Sequence, residues 1–149
     1  DWLASHSLSA PPLQGEVLAD RAGHWAWFDV QPHASDKFSS FAYDLDQPLN
    51  RLTVTDVINA RSVELEMGPT TLSGAVPIQW VTSALDGLAL EVRFSAFPQR
   101  PNGVVRNGSI VPEDCSASAS AASWCYESST QTLRLCEPDA SASSWTIFP

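Results

Sequence analysis

The sequence has very little positive charge. Lys37 is its single lysine, and the eight basic residues face 17 acidic ones, so the formal net charge is −9 at pH 7. A chain this acidic repels the phosphate groups of nucleic acids, and no basic stripe offsets that repulsion. Anionic membrane surfaces are poor partners for the same reason. We therefore expect neither nucleic acid nor an anionic lipid surface as a partner.

Long hydrophobic runs are also missing. No apolar stretch approaches the roughly 20 residues that a membrane-spanning helix needs, so we predict no membrane insertion. Asp1 stands where an initiator methionine would, and no hydrophobic segment of the secretory type is visible. We interpret the chain as a processed mature protein or an excised domain. Its 149 residues, 44% hydrophobic and 17% charged, suit one globular domain.

The sequence contains no motif that names a reaction. No serine lies in a glycine-flanked G-x-S-x-G turn, so a nucleophile beside an oxyanion site is not indicated. Four residues that are close in sequence have side chains that can bind a metal ion: His24, Asp29, His33 and Asp36. Their spacing matches no ligand pair carried on a helix, and solvated turn carboxylates are the simpler interpretation. We predict no catalytic residue, no metal site, no cofactor and no enzymatic activity, and rank a hydrolytic enzyme as the least favoured alternative.

The three cysteines, Cys115, Cys125 and Cys136, lie in the last quarter of the chain without the CxxC spacing of a zinc site. They suit one disulfide plus one free thiol, as in proteins of oxidising compartments. Three pairings are possible, and we favour Cys125–Cys136 because a hairpin could join these two residues. Asn107 begins an Asn-Gly-Ser tripeptide, so it is a predicted N-glycosylation site. These features favour a secreted or cell-surface protein over a cytosolic domain with three buried thiols.

Alternation of apolar and polar residues with a period of 2 is the dominant pattern, and it predicts half-buried strands. The clearest example is "LALEVRFSAF", in which Leu88, Leu90, Val92 and Phe94 share one face. Similar runs are "RLTVTDV", "RSVELEM", "VPIQWVTS", "TLRL" and "SWTIF". Turn signals separate these runs, including Asp86-Gly87 and Asn107-Gly108, which favour antiparallel hairpins.

The pattern predicts an all-β fold: one antiparallel β-sandwich, immunoglobulin-like or jelly-roll-like, with little or no helix. No window of 11 or more residues carries a capped helical stripe of apolar residues. Residues 1–12 end in Ala10-Pro11-Pro12 and are predicted to form an extended arm, which leaves 13–149 as the sandwich domain.

The stretch "GHWAWFDV" is the densest group of aromatic residues. In a single strand, Trp25, Trp27 and Asp29 would share one face. Coplanar aromatic rings in sugar-binding proteins stack on the apolar face of a pyranose, whose C–H groups the ring quadrupole attracts. The alternative is that the two indoles pack in the core or at an interface. We predict Trp25, Trp27 and Asp29 as ligand-binding residues.

The middle of the chain resembles the accessory β-sandwich domains that follow the catalytic barrels of some secreted glycoside hydrolases. The matching residues are Pro48, Val63, Leu65, Gly68, Ile78, Trp80, Asp86, Gly87, Leu88 and Leu90. The tail "SWCYESSTQTLRL" is similar to another hairpin of such sandwiches, through Trp124, Tyr126, Thr132 and Leu133. The resemblance covers about half of the chain, departs in the cysteine-bearing tail and carries over no catalytic residue. It implies a β-sandwich fold.

Together these observations lead to a non-catalytic extracellular β-sandwich module that binds carbohydrate or a partner protein through exposed aromatic residues. The alternative is a structural subunit of an extracellular assembly or filament, joined by strand addition or other contacts between copies. An arm at residues 1–12, an unpaired cysteine and exposed sheet edges would all suit self-association.

Overall fold

The structure is a computed structural model that describes residues 11–116, 121–138 and 142–149. These residues form thirteen strands and one helical turn. The first seven strands are β1 (Gln14–Ala19), β2 (Gly23–Trp25), β3 (Phe28–Pro32), β4 (Ser39–Asp46), β5 (Arg51–Ile58), β6 (Ala60–Glu66) and β7 (Ile78–Ala84). The other six are β8 (Leu90–Ser95), β9 (Gly103–Arg106), β10 (Ser109–Ile110), β11 (Ser123–Glu127), β12 (Thr132–Glu137) and β13 (Ser143–Phe148), and α1 (Met67–Thr70) lies between β6 and β7.

The strands form two sheets. The seven-stranded sheet has the order β1-β4-β5-β7-β13-β9-β10, and the six-stranded sheet has the order β11-β12-β8-β6-β3-β2. The prediction of an all-β protein with little helix is confirmed, since α1 is one turn of four residues. Within the described part of the chain, no helix is long and apolar enough to cross a membrane.

Both sheets are mixed, so the prediction of a purely antiparallel arrangement is wrong. β5 pairs with β7 in parallel, and β6 pairs with β8 in parallel. The reason is that the chain changes sheets after each of these strands and reverses direction at every crossing. Alternate strands therefore return to the same sheet running the same way. Local turn signals could not reveal this, because they describe single connections and not the strands that become neighbours.

The core lies between the sheets and takes side chains from both of them. In β8, Leu90, Val92 and Phe94 are buried, as the alternation predicted. The Phe28 ring of the six-stranded sheet meets the Phe41 ring of the seven-stranded sheet edge to face, with centroids 5.2 Å apart. Burying a large apolar side chain stabilises the fold by about 1.5–3 kcal/mol, so this shared apolar layer holds the two sheets together.

The predicted arm falls mostly outside the described residues, which begin at Pro11. The carbonyl oxygen of Pro12 accepts hydrogen bonds from Trp27 Nε1 at 2.8 Å and from the Tyr43 hydroxyl at 3.0 Å. Pro12 is thus attached to both sheets just before β1 begins at Gln14. A domain boundary between residues 12 and 13 stays a prediction.

Candidate functional site

The "GHWAWFDV" stretch is a tight hairpin and not one strand. β2 ends at Trp25, β3 begins at Phe28, and Trp25 pairs with Phe28 across a loop of Ala26 and Trp27. Ala26 has φ 55°, in the left-handed region that two-residue hairpin loops require. The prediction that Trp25 and Trp27 share one strand face is therefore wrong. The turn could not be predicted from the sequence, because this loop contains none of the glycine or asparagine residues that usually occupy such positions.

The two indoles have different surroundings, although both are half-buried against the core. Trp25 donates its Nε1 hydrogen to the carbonyl oxygen of Arg21 at 3.3 Å, on the outer edge of the sheet. Trp27 donates to Pro12 at 2.8 Å, and this bond holds its ring beside a cleft on the outer face of the six-stranded sheet. Only Trp27 borders the cleft.

The cleft beside Trp27, here called the first cleft, has a volume of about 330 Å³. Its walls come from β2, β3, β6, β8, α1 and the hairpin loop. The residues that line it are Pro11, His24, Ala26, Trp27, Asp29, Glu66, Pro69, Thr70 and Ser95. The cleft thus brings one aromatic ring together with two carboxylates, an imidazole and two hydroxyl groups, and none of these lining residues is a lysine or arginine.

The polar side chains of the first cleft differ in their exposure to solvent and in their hydrogen-bond partners. His24 Nδ1 lies 3.2 Å from Asp29 Oδ1, and both side chains are more than half exposed. The Thr70 hydroxyl donates to backbone carbonyls of its own helical turn, and the Ser95 hydroxyl to the carbonyl of Leu65 at 3.4 Å. A ligand can therefore reach the carboxylates of Asp29 and Glu66 and the imidazole of His24.

Two of the three residues predicted to bind a ligand lie at the first cleft, and their binding role stays a prediction. Trp27 and Asp29 line the first cleft, whereas Trp25 lies outside it. Glu66 was recognisable as an outward-facing residue of an alternating strand, but nothing local indicated that β6 would lie beside β3. Within the described ranges, no three His, Cys, Asp or Glu side chains are grouped so as to hold a metal ion.

The disulfide joins Cys115 to Cys125, so the predicted Cys125–Cys136 pairing is wrong. β11 and β12 do form the expected hairpin, but Cys125 lies opposite Arg134, and Cys136 lies opposite Ser123. The two cysteines are diagonal neighbours, about 7–8 Å apart, which exceeds the usual Cα–Cα span of a disulfide. Residues 112–114 run beside β11 and bring Cys115 within a Cα–Cα distance of 5.0 Å from Cys125.

Asn107 and Gly108 form the turn of the β9–β10 hairpin, with φ values of 49° and 83°. This is the positive-φ turn that the Asn-Gly pair predicted. Asn107 is exposed, and its Oδ1 accepts a hydrogen bond from the Ser144 backbone at 2.9 Å. The oxygen is thus used within the protein, while glycosylation at Nδ2 stays a prediction.

No protein-family model and no curated protein matches this sequence. Among solved structures, a distant likeness is to a mutant of the GH31 dextranase of Flavobacterium johnsoniae in complex with isomaltotriose. The match covers 96% of this chain and 25% of the dextranase chain, at 7% identity and a TM-score of 0.39. A likeness this distant carries no argument about fold or function.

Proposed function

We propose that this chain is a non-catalytic, extracellular β-sandwich module that binds carbohydrate in the first cleft. The observation that carries the proposal is the position of Trp27: its indole is tethered through Nε1 and stands in one cleft with Asp29 and Glu66. The choice between an immunoglobulin-like and a jelly-roll-like sandwich stays a prediction, as does a protein partner in place of a glycan.

The chemistry of the cleft suits a sugar better than a purely apolar ligand. An indole face attracts the polarised C–H groups on one side of a pyranose ring. Carboxylates accept strong hydrogen bonds from sugar hydroxyl groups, since bonds to an ionised acceptor are stronger than neutral ones. A volume of about 330 Å³ lies at the lower end of the range for small-molecule sites. The cleft can therefore hold a sugar with its apolar face on Trp27 and its hydroxyl groups on Asp29 and Glu66.

A binding role is favoured over hydrolysis because both carboxylates are exposed. A general acid for glycoside cleavage is usually kept protonated by an apolar, buried environment. An extracellular setting is supported by the Cys115–Cys125 disulfide, since such bonds persist in oxidising compartments.

The test measures the affinity of two tryptophan variants for malto-, cello- and xylo-oligosaccharides by calorimetric titration. Trp27→Ala is expected to abolish binding because it removes the stacking surface. Trp25→Ala is the matched control, since Trp25 is also half-buried and hydrogen-bonded but lies outside the cleft. Asp29→Asn should weaken binding about tenfold, the effect of losing one charge-assisted hydrogen bond. Equal binding by the Trp25 and Trp27 variants would refute the assignment.

A second candidate function, association with other copies of this chain, is favoured by a largely apolar groove on the seven-stranded sheet, which Glu16 and Asp56 also line. Leu18, Ile58 and Leu85 are 63%, 41% and 66% exposed and border a groove of about 300 Å³. β1 is the edge strand there among the described strands. Because the net charge of −9 opposes association, added salt should strengthen it.

Light scattering tests the second candidate. Leu18→Lys should produce monomers if copies associate through the groove, whereas Leu49→Lys, at an exposed leucine in the β4–β5 turn, should not. A native protein that is monomeric at high salt would exclude assembly through this face.

A further inference from the structure

Beyond the first cleft, charged side chains continue across the outer face of the six-stranded sheet. Asp29 pairs with Glu64, Glu64 with Arg93, and Arg93 with Arg134, so four adjacent strands contribute to one transverse row. The residues on either side of each member are buried, which directs the row outward. Neighbouring strands are about 4.7–4.9 Å apart, so the row extends about 14 Å.

A second cleft, of about 210 Å³, lies at the far end of this row. Its lining residues are Glu64, Arg93, Glu127, Thr130, Thr132 and Arg134. The two clefts use the same two central strands, because Glu66 and Ser95 line the first, and Glu64 and Arg93 line the second. Residues two apart on one strand face are about 6.6–7 Å apart. The linings of the two clefts are therefore neighbours along β6 and β8.

An ion-pair network holds the second cleft in place. Directly opposed like charges such as Arg93 and Arg134 are destabilising on their own. Glu91 offsets this, since its Oε1 accepts from Arg93 Nε at 2.5 Å and its Oε2 lies 3.7 Å from Arg134. The Arg93 side chain is 43% exposed, and its Nε is the atom that bonds Glu91, so its terminal N–H groups can donate to a ligand.

The charge of the combined surface restricts the ligand. Four carboxylates line the two clefts, from Asp29, Glu64, Glu66 and Glu127, against the guanidinium groups of Arg93 and Arg134. Glu91 adds a further negative charge beside both arginines. Such an excess repels anionic groups. Sugar hydroxyl groups both donate and accept hydrogen bonds, so they can donate to the carboxylates and accept from the guanidinium groups.

From this arrangement we infer that the two clefts form one site for an uncharged linear oligosaccharide that lies across the strands. The inference rests on the proposed function and adds the size and charge of the ligand. One sugar unit stacks on Trp27 in the first cleft, and later units reach Arg93 and Thr132 in the second. Monosaccharides and disaccharides occupy only the first cleft, and glycans rich in uronic acids are rejected.

The test is calorimetry on the full chain with malto-, cello- and xylo-oligosaccharides of one to six units, beside oligogalacturonates of equal length. For the neutral series that binds, affinity should rise about tenfold between two and five units, as added hydrogen bonds to charged groups contribute. Arg93→Gln should remove this gain and leave disaccharide affinity unchanged. Thr132→Ala removes a single hydroxyl group and should reduce the gain in affinity only partly. Arg61→Gln is the matched control, since Arg61 is an exposed arginine of β6 outside both clefts.

The outcomes separate this inference from the proposed function. If disaccharides and hexasaccharides bind equally, or if Arg93→Gln weakens both to the same extent, the second cleft is not a subsite, while carbohydrate binding at Trp27 stands. Tighter binding of oligogalacturonates than of neutral oligosaccharides would overturn the charge argument. If no oligosaccharide binds, the proposed function and the inference both fail.

Discussion

Glu137 of β12 is joined to Arg106 of β9, so one buried ion pair links the six-stranded sheet to the seven-stranded sheet. Arg106 Nε donates to Glu137 Oε2 at 3.0 Å, and the Glu137 side chain is 2% exposed. The same carboxylate accepts from Trp145 Nε1 at 3.0 Å and from the Ser143 hydroxyl. A buried charge is tolerated where it is paired and hydrogen-bonded in this way.

Removing the charge of Glu137 should destabilise the fold. We expect Glu137→Gln to lower the free energy of unfolding by about 3 kcal/mol, because the neutral amide loses the charge-assisted bonds and places a donor where a carboxylate oxygen accepts hydrogen bonds. Urea unfolding measures the change. Glu16→Gln is the control, since Glu16 is an exposed residue of β1 and should alter stability by no more than about 0.5 kcal/mol. Equal stability of the two variants would contradict the role assigned to the pair.

Peptide mapping under non-reducing conditions should find Cys115 linked to Cys125. The bond closes a loop with a sequence separation of 10, and chain-entropy arguments give a stabilisation of about 3 kcal/mol for a loop of this size. The double variant Cys115→Ser/Cys125→Ser should lose this amount. A Cys125–Cys136 peptide in the map would show that the strand register of the β11–β12 hairpin is different.

Cys136 should be unreactive in the native state. Burial, together with the nearby Glu91 carboxylate, raises the pKa of its thiol, and alkylating reagents attack the thiolate. Native protein should take up no iodoacetamide at pH 8, and unfolded, unreduced protein should take up one equivalent. Rapid labelling of the native protein would disprove the burial of this thiol.

The raised pKa of Cys136 also gives stability a dependence on pH. Below the usual thiol pKa, both the folded and unfolded states hold the proton, so the thiol has no effect. Above it, the unfolded state releases the proton first, and the free energy of unfolding falls as pH rises toward the folded-state pKa. Cys136→Ala should remove this contribution to the slope of the free energy of unfolding against pH. Urea unfolding between pH 7 and pH 10 measures the slope. An unchanged slope would contradict the linkage.

Asn50 should be essential to the loop before β7. Its Nδ2 donates to the carbonyls of Ser73 and Pro77 at 2.9 and 3.0 Å, its Oδ1 accepts from the Ser73 backbone at 2.8 Å, and its φ is 50°. Asn50→Ala loses these bonds and is strained in the left-handed region, so we expect a loss of about 3 kcal/mol. Asn50→Gly relieves the strain and should be the more stable variant by about 1 kcal/mol. Thermal unfolding of both variants separates the two effects.

Most strands and several turns could be predicted from the sequence, because they depend on residues that are close together in the chain. Period-2 alternation located β8, although Leu88, which it included, is 43% exposed and precedes the strand. Asn107-Gly108 specified its hairpin turn because both residues adopt positive φ easily. The positions of Trp25 and Trp27 were predicted wrongly, because the chain turns at Ala26 without a turn signal in the sequence.

The pairing of strands into sheets could not be predicted from the sequence. The parallel pairs, the Cys115–Cys125 bond and the row from Asp29 to Arg134 each join segments whose proximity depends on how the chain crosses between sheets. Alternation showed that Glu66 faces outward but not that Asp29 and Trp27 would lie beside it. The physical reason is that burial of one strand face restrains that strand alone, whereas the order of strands is set by the joint packing of both sheets.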